Sequence, residues 1–429
     1  MKRTINFFSI LLVVGMVFTS CNSDDNTTAP EPPTMGMDDD TPPPPDEFES
    51  AWLIGYRTLT PQGRIWYMEV NEELPAETNQ ANAVEIGLNA AIYTHESGTY
   101  TWNGDAATVT KWGVDRTTLE LSVEGLLSFA SSGLSGRNAP NIFFSGTQAF
   151  ITKLSEGIVA EWNPTTMEII TIHQVDPLPD LGTTFSFYTE QTLFPTSDGK
   201  IMIPIVFGEP ASCCDTAELP NPDGAMVAIF DPVTSSIEYR RDNRLFASDS
   251  DMMQDPIDGA FYLSTNFSQS YYEPYFDMTG RPTTHGLLKL NQDGSYDPDF
   301  FLDLSDVIDI TFIRSTFFVY DKKFVFGYLD AADYQHPDSY DDRFNSFGVA
   351  PQIVILDLET NEVSAFSGFE GTGFEQGFFL GDVDGASYFS AFNYSTGQGG
   401  LLVQNGTDAF TTATIHNGGN TFQAVAKLW

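Results

Sequence analysis

A short apolar strand followed by a turn recurs seven times along this chain, and that recurrence limits the folds open to it. The first four copies read RIWYMEVN at 64–71, ATVTKWGVD at 107–115, GIVAEWNP at 157–164 and AMVAIFDP at 225–232. Three more read GLLKLNQDG at 286–294, QIVILDL at 352–358 and GLLVQNG at 400–406. Successive copies start roughly 45 to 70 residues apart, which is the length of one β-propeller blade once loops are allowed. Around each copy lie other runs rich in Phe, Tyr, Ile and Val, bounded by Gly, Asp and Asn turns. Such runs read as strands, and no long stretch of helical periodicity follows the first 20 residues. Four strands per repeat and seven repeats predict an all-β, seven-bladed β-propeller over residues 50–429.

The chain ends fit a closed ring. Lettering the strands of a blade A to D from the centre outward, the first copy supplies B at 52–56, C at 65–70 and D at 84–86, but no A. The run 422–429 has no partner in its own neighbourhood. Placed as the missing A strand, it closes the first blade and removes exposed edges. Leu428 and Trp429 then become structural residues.

In this topology the D–A and B–C connections share one face. The three longest connections, at about 208–224, 266–285 and 329–351, are all of the B–C kind. Long loops gathered on one face of a rigid scaffold carry recognition. Their contents suit it: Tyr271 and Tyr272 begin an aromatic run, and His336 lies among tyrosines. Arg57, Trp102, Lys153 and Asn266 end or follow B strands, while Arg137, Tyr188, Glu190 and Arg314 lie at or just before A strands. These ten residues are the candidate ligand-binding set. Four cations on one face stand out in a chain with 19 Lys and Arg, and cations with aromatics at a funnel mouth suit an anionic, aromatic ligand.

The N-terminus carries a different message. Met1, Lys2 and Arg3 precede an apolar stretch from Ile5 to Phe18, and then Thr19, Ser20 and Cys21 follow. A positive start, a short apolar core and small residues before the cut describe a secretory signal. The small-small-Cys ending resembles the bacterial lipobox, with residues 1–20 removed and Cys21 acylated. Asn22-Ser23-Asp24-Asp25 resembles the surface-export signal of Bacteroidota lipoproteins. Residues 21–49, rich in Pro and Asp, cannot bury a core and read as a disordered, extended stalk. The expected location is therefore the outer membrane, lipid-anchored and exposed at the cell surface.

Charge and motifs narrow the function. With 59 Asp and Glu against 19 Lys and Arg, nucleic-acid binding is excluded, and only the lipid anchor would hold the protein to a membrane. Besides Cys21 the cysteines are Cys213 and Cys214; they could form a vicinal disulfide or remain two thiols. The sequence contains no GxSxG, HExxH, P-loop or GxGxxG motif. Its five histidines are scattered, and no metal-ligand spacing occurs. Asp-rich 249–258 offers oxygen ligands for Ca²⁺, or simply a solvated turn.

The segments 21–25, GTYTWNG at 98–104 and SEGIVAEWNP at 155–164 resemble a family of Bacteroidota surface lipoproteins built as single propellers. Some of its members accompany TonB-dependent outer-membrane transporters and bind ferric siderophores. The resemblance implies a monomeric, non-enzymatic capture protein that holds an anionic ferric chelate and passes it to such a transporter. The alternatives are a propeller hydrolase or lactonase with a channel-bound metal, and a protein- or glycan-binding surface module.

Overall fold

The computed structural model describes residues 47–429, apart from 62, 89, 135–140, 179–184, 190–192, 211–224, 246–251, 256, 265–284, 331, 333–350, 367–375, 394–395, 405–409, 418–420 and some strand side chains. Seven antiparallel sheets form the blades of a β-propeller. Each expected copy of the repeat is the C strand of its blade. Blade 1 has Trp52–Thr60 as B, Gly63–Asn71 as C and Val84–Gly87 as D. Its A strand is Phe422–Lys427 from the other end of the chain. Blades 2 to 7 are each continuous in sequence, with Thr108–Val114, Ile158–Asn163, Ala225–Asp231, Gly286–Leu290, Gln352–Asp357 and Gln398–Gln404 as C strands. In blade 4 the innermost position is split between Phe185–Thr189 and Phe194–Pro195, both paired with Ile201–Pro210.

Burial accounts for the apolar run in the most enclosed of the C strands. Each lies between two strands of its own blade and between two neighbouring blades. Ala225–Asp231 is buried at every position but its last, so an uninterrupted apolar run is what that place requires. The largest core cluster joins blades 1 to 3 through Trp66, Trp102 and Trp162, each at most 1% exposed. Tyr100 stands edge-on to Trp162 at 5.5 Å and donates its hydroxyl hydrogen to the Pro164 carbonyl of the next blade.

One turn recurs at several strand ends. An Asp or Asn accepts backbone N–H groups two and three residues on, and a residue with positive φ follows. Asp115 accepts from Thr117 and Thr118, Asn163 from Thr165 and Thr166, Asp231 from Val233 and Thr234, and Asp357 from Glu359 and Thr360. The left-handed residues are Leu119, Met167, Ser235 and Asn361. This is the Asx-turn use of short polar side chains. It gives part of the chain's acidity a structural purpose. Hydrogen bonds hold three of these carboxyls below the usual range: from the Thr117 side chain first for Asp115, from the Thr234 N–H for Asp231 and from the Thr360 N–H for Asp357.

Two latches close the ring. In the first, Phe422–Lys427 pairs with Trp52–Tyr56, and the Leu428 N–H donates to the Ala51 carbonyl at 2.8 Å. The Trp429 indole N–H donates to the Phe48 carbonyl at 3.1 Å, and the Arg116 guanidinium lies 4.8 Å from the indole ring. In the second latch, the connection after blade 1's C strand pairs with the last strand of blade 7. The Thr78 N–H donates to Ile415 O and the Ile415 N–H to Ala76 O.

His416, 1% exposed, pins the second latch. Its Nδ1 lies 2.8 Å from Thr78 Oγ1 and its Nε2 3.1 Å from Thr58 Oγ1, with the ring 4.6 Å from that of Tyr56. Tyr56 in turn donates to buried Glu69 at 3.2 Å. Burial pushes the His416 imidazole down to about 4. The folded chain therefore refuses a proton that the unfolded chain accepts below the ordinary histidine range. His416 contributes its full stability above about pH 6.5 and loses it as pH falls toward 4, on the order of 3 kcal/mol in all. Burial raises the Glu69 carboxyl, so its protonation acts in the opposite sense at the acid end. Urea midpoints measured from pH 7 to pH 4 should fall less steeply for His416→Gln than for the native chain. Parallel curves would reject this account of the latch.

Candidate functional site

Strand direction gives the ring two unlike faces. A–B turns such as those joining His95 to Gly98, Tyr320 to Lys323 and Val383 to Ala386 are tight, and they share one face with the C–D turns. On the other face, three consecutive blades carry long B–C connections, from Pro210 to Ala225, Ser264 to Gly286 and Leu329 to Gln352. The three expected long connections are thus B–C connections of blades 4, 5 and 6, and all begin and end on one face.

Of the expected binding set, Asn266, Tyr271 and Tyr272 belong to those connections. Arg137, Glu190, Asn266, Tyr271, Tyr272, Cys213 and Cys214 lie outside the described residues, as do His336 and Cys21. Tyr188 lies within the innermost strand Phe185–Thr189 and Arg314 within Phe312–Tyr320, but their side chains are outside what is described.

Three expected residues can be placed in full. Arg57 lies inside its B strand, opposite Trp66, because the strand runs on to Thr60. Its Nε donates to Thr421 Oγ1 at 3.1 Å, and its guanidinium lies 5.8 Å from the Trp66 ring. Lys153 ends its B strand, with Nζ 3.9 Å from the Glu156 carboxylate. Trp102 corrects the expectation. It is fully buried, with its ring 6.2 Å from that of Phe129, and offers no surface to a ligand. Alternation along GTYTWN was the available signal, because Tyr100 and Trp102 share a strand face and both are fully buried. Sequence reasoning also passed over Arg244. Its guanidinium pairs with Asp242 and donates to the Asp297, Pro298 and Phe300 carbonyls of blade 5's outer strand. That is a structural clamp on an edge.

The turn face holds a cleft that the sequence did not announce. It has a volume of about 470 Å³ and lies where the ends of the innermost strands of blades 7, 1 and 2 meet. Glu96, Asp382 and Asp384 contribute carboxylates, Lys427 an ammonium, and Trp112 and Trp429 indole rings. Lys427 Nζ bonds Asp384 at 2.5 Å, and Asp382 accepts from Ser387 Oγ. The Trp112 N–H is committed to Thr101 Oγ1 at 2.9 Å. His95 also lines the cleft. Its ring is stacked on Phe143 at 5.1 Å, and its Nδ1 accepts from the Ser97 N–H at 3.2 Å. Burial lowers its pKa, against the opposing pull of Glu96, so this imidazole stays neutral near pH 7.

In the Asp-rich segment, the described carboxylates serve the backbone. Asp255 accepts from the Ile257, Asp321 and Lys322 N–H groups, and Asp258 from Ala260 N–H. Among the described residues, no group of three or more His, Cys, Asp or Glu side chains is arranged to hold a metal ion, and no helix is long and apolar enough to cross a membrane.

No known family and no curated protein matches the sequence. Solved structures do. The periplasmic gluconolactonase of Pseudomonas aeruginosa aligns with a TM-score of 0.47 and 11% identity, over 87% of this chain and 96% of its own. A putative 6-phosphogluconolactonase from Bacteroides fragilis aligns with a TM-score of 0.46 and 12% identity, over 86% and 97%. Apo AztD from Citrobacter koseri gives 0.41 and 11%, over 88% and 98%. At these identities the likeness extends to the fold alone.

Proposed function

We propose that this protein is a lipid-anchored capture module that takes a ligand on the face bearing the long connections and passes it to an outer-membrane transporter of the TonB-dependent class. The observation carrying the reading is the placement of those connections. The B and C strands of blades 4, 5 and 6 open onto one face across 211–224, 265–285 and 330–351. A rigid ring supports them, as recognition loops require. The lipobox-like ending at Cys21 and the Pro-rich stalk supply the attachment.

The narrower reading is that the cargo is a ferric siderophore or a similar anionic chelate. Arg57, Lys153, Arg137 and Arg314 support it as cations that the sequence pattern assigns to B-strand ends and A-strand starts. The engagement of Arg57 with Thr421 and of Lys153 with Glu156 weighs against it, and so does the net charge of −40.

Titration of the acylated protein with a panel of ferric chelates, followed by Trp fluorescence, tests the cargo. Saturable binding weakened about tenfold by Arg314→Ala, the loss of one charge-assisted contact, is the expected outcome. If no chelate binds, the chelate reading falls. Cys21→Ser tests the anchor separately. It should abolish incorporation of labelled palmitate and release the protein from the membrane pellet, and a variant that remains acylated would end the anchor reading.

A further inference from the structure

The cleft on the turn face plays no part in the capture reading, and its chemistry differs from what a ferric chelate needs. We propose that it is a second binding site, for a small organic cation: an amine with an aliphatic body. Its volume of about 470 Å³ is within the range of small-molecule sites.

Two kinds of group make it selective. The first is aromatic. Trp112 and Trp429 line the cleft with their N–H groups already committed to Thr101 and Phe48. What the indoles retain is their π surface, which attracts cations. Trp429 already acts this way within the fold, with the Arg116 guanidinium 4.8 Å from its ring. The second is charge. Three acidic residues line the cleft, Glu96 from blade 2 and Asp382 and Asp384 from blade 7, against one lysine, Lys427, which is itself bound to Asp384. Glu96 is exposed and makes no hydrogen bond or ion pair among the described residues. His95, neutral near pH 7, adds no positive charge to offset the carboxylates.

An anion would enter against this local charge and against the field of a chain with a net charge of −40. A neutral polyol could donate a hydrogen bond to Glu96 but would gain no charge–charge attraction from the carboxylates. A protonated amine gains the carboxylates at its head and the indole surface along its body.

The probe is cadaverine, a five-carbon diamine, with 1,5-pentanediol as the uncharged molecule of matching length. Titration of the intact protein, followed by heat and indole fluorescence, should show saturable cadaverine binding that weakens as salt is raised. Pentanediol should give no saturable response. The double substitution Glu96→Gln, Asp382→Asn should weaken cadaverine at least about tenfold. It should leave Tm unchanged, because both side chains are exposed. The proposal is overturned if cadaverine fails to saturate, if the double variant binds it equally well, or if the diol matches the diamine. Ferric-chelate binding, measured on the same samples, stands or falls separately, because the substituted residues lie on the opposite face.

Discussion

Removing residues 422–429 is expected to abolish the single cooperative unfolding transition of this protein. The segment is the innermost strand of blade 1, with Phe422, Ala424 and Val425 at most 7% exposed. It covers Ile54 and Tyr56, both fully buried in the same cluster, and Ala424 packs in the cluster that holds Ile92. Losing Phe422 and Val425 alone forfeits about 5 kcal/mol of apolar burial and packing. That is comparable with the whole stability of a typical domain. The backbone of Trp52–Tyr56 would also lose its partner, leaving a buried strand with unpaired N–H and C=O groups. The Trp429–Phe48 hydrogen bond and the Arg116 contact would vanish with it. Circular dichroism on heating should show a broad, early loss of signal in place of one sharp step. A synthetic peptide of residues 417–429 added in trans should restore the step, because it supplies the same strand. A truncated chain that melts within a few degrees of the full one would show that the ring does not depend on this closure.

Asp255→Ala should cost about 3–5 kcal/mol, an effect concentrated in one carboxylate. Asp255 is fully buried between blades 5 and 6. It accepts from Ile257 N–H at 2.9 Å in its own turn, and from Asp321 and Lys322 N–H at 3.0 and 2.7 Å in the next blade's hairpin. That hairpin has φ of 49° at Asp321 and 60° at Lys322, a left-handed pair usually left to Gly or Asn. The carboxylate holds their N–H groups in place and compensates for a strained turn. Alanine would strand three donors. Asparagine keeps one acceptor oxygen and should cost less. Lys322→Gly removes the left-handed strain and should leave stability equal or raise it by about 1 kcal/mol, since the exposed Lys322–Glu359 pair it sacrifices is worth little. Urea unfolding of the three variants separates these terms. An Asp255→Ala protein within about 1 kcal/mol of the native one would mean that the donors find other partners.

Much of the architecture was readable without coordinates. The seven runs are strands flanked on both sides within their sheets, and the most deeply buried of them, Ala225–Asp231, carries an uninterrupted apolar pattern. Their turns were readable for a related reason. Asp115, Asn163, Asp231 and Asp357 act on N–H groups two and three residues away, and a local interaction leaves a local signature. The orphan strand at the C-terminus was identified by counting, since a ring with one strand missing must recover it from somewhere.

The candidate binding residues were less legible. Lys153 ends its B strand and Arg57 lies within one, and their engagement with Glu156 and Thr421 depends on neighbours brought there by folding. Trp102 lies near a strand end, yet alternation puts it on the buried face with Tyr100.

By itself the sequence determined the seven C strands, the number of blades and the site of closure, because each follows from local periodicity and from the cost of an open edge. Only the tertiary structure decided which side chains look into a neighbouring blade and which look into a cleft. A period-2 pattern defines two faces of a strand but not what covers either one. The turn-face cleft is the clearest case. His95, Trp112, Asp382 and Trp429 are scattered along the chain, and they meet because the ring brings blade 7 and the C-terminus beside blade 2.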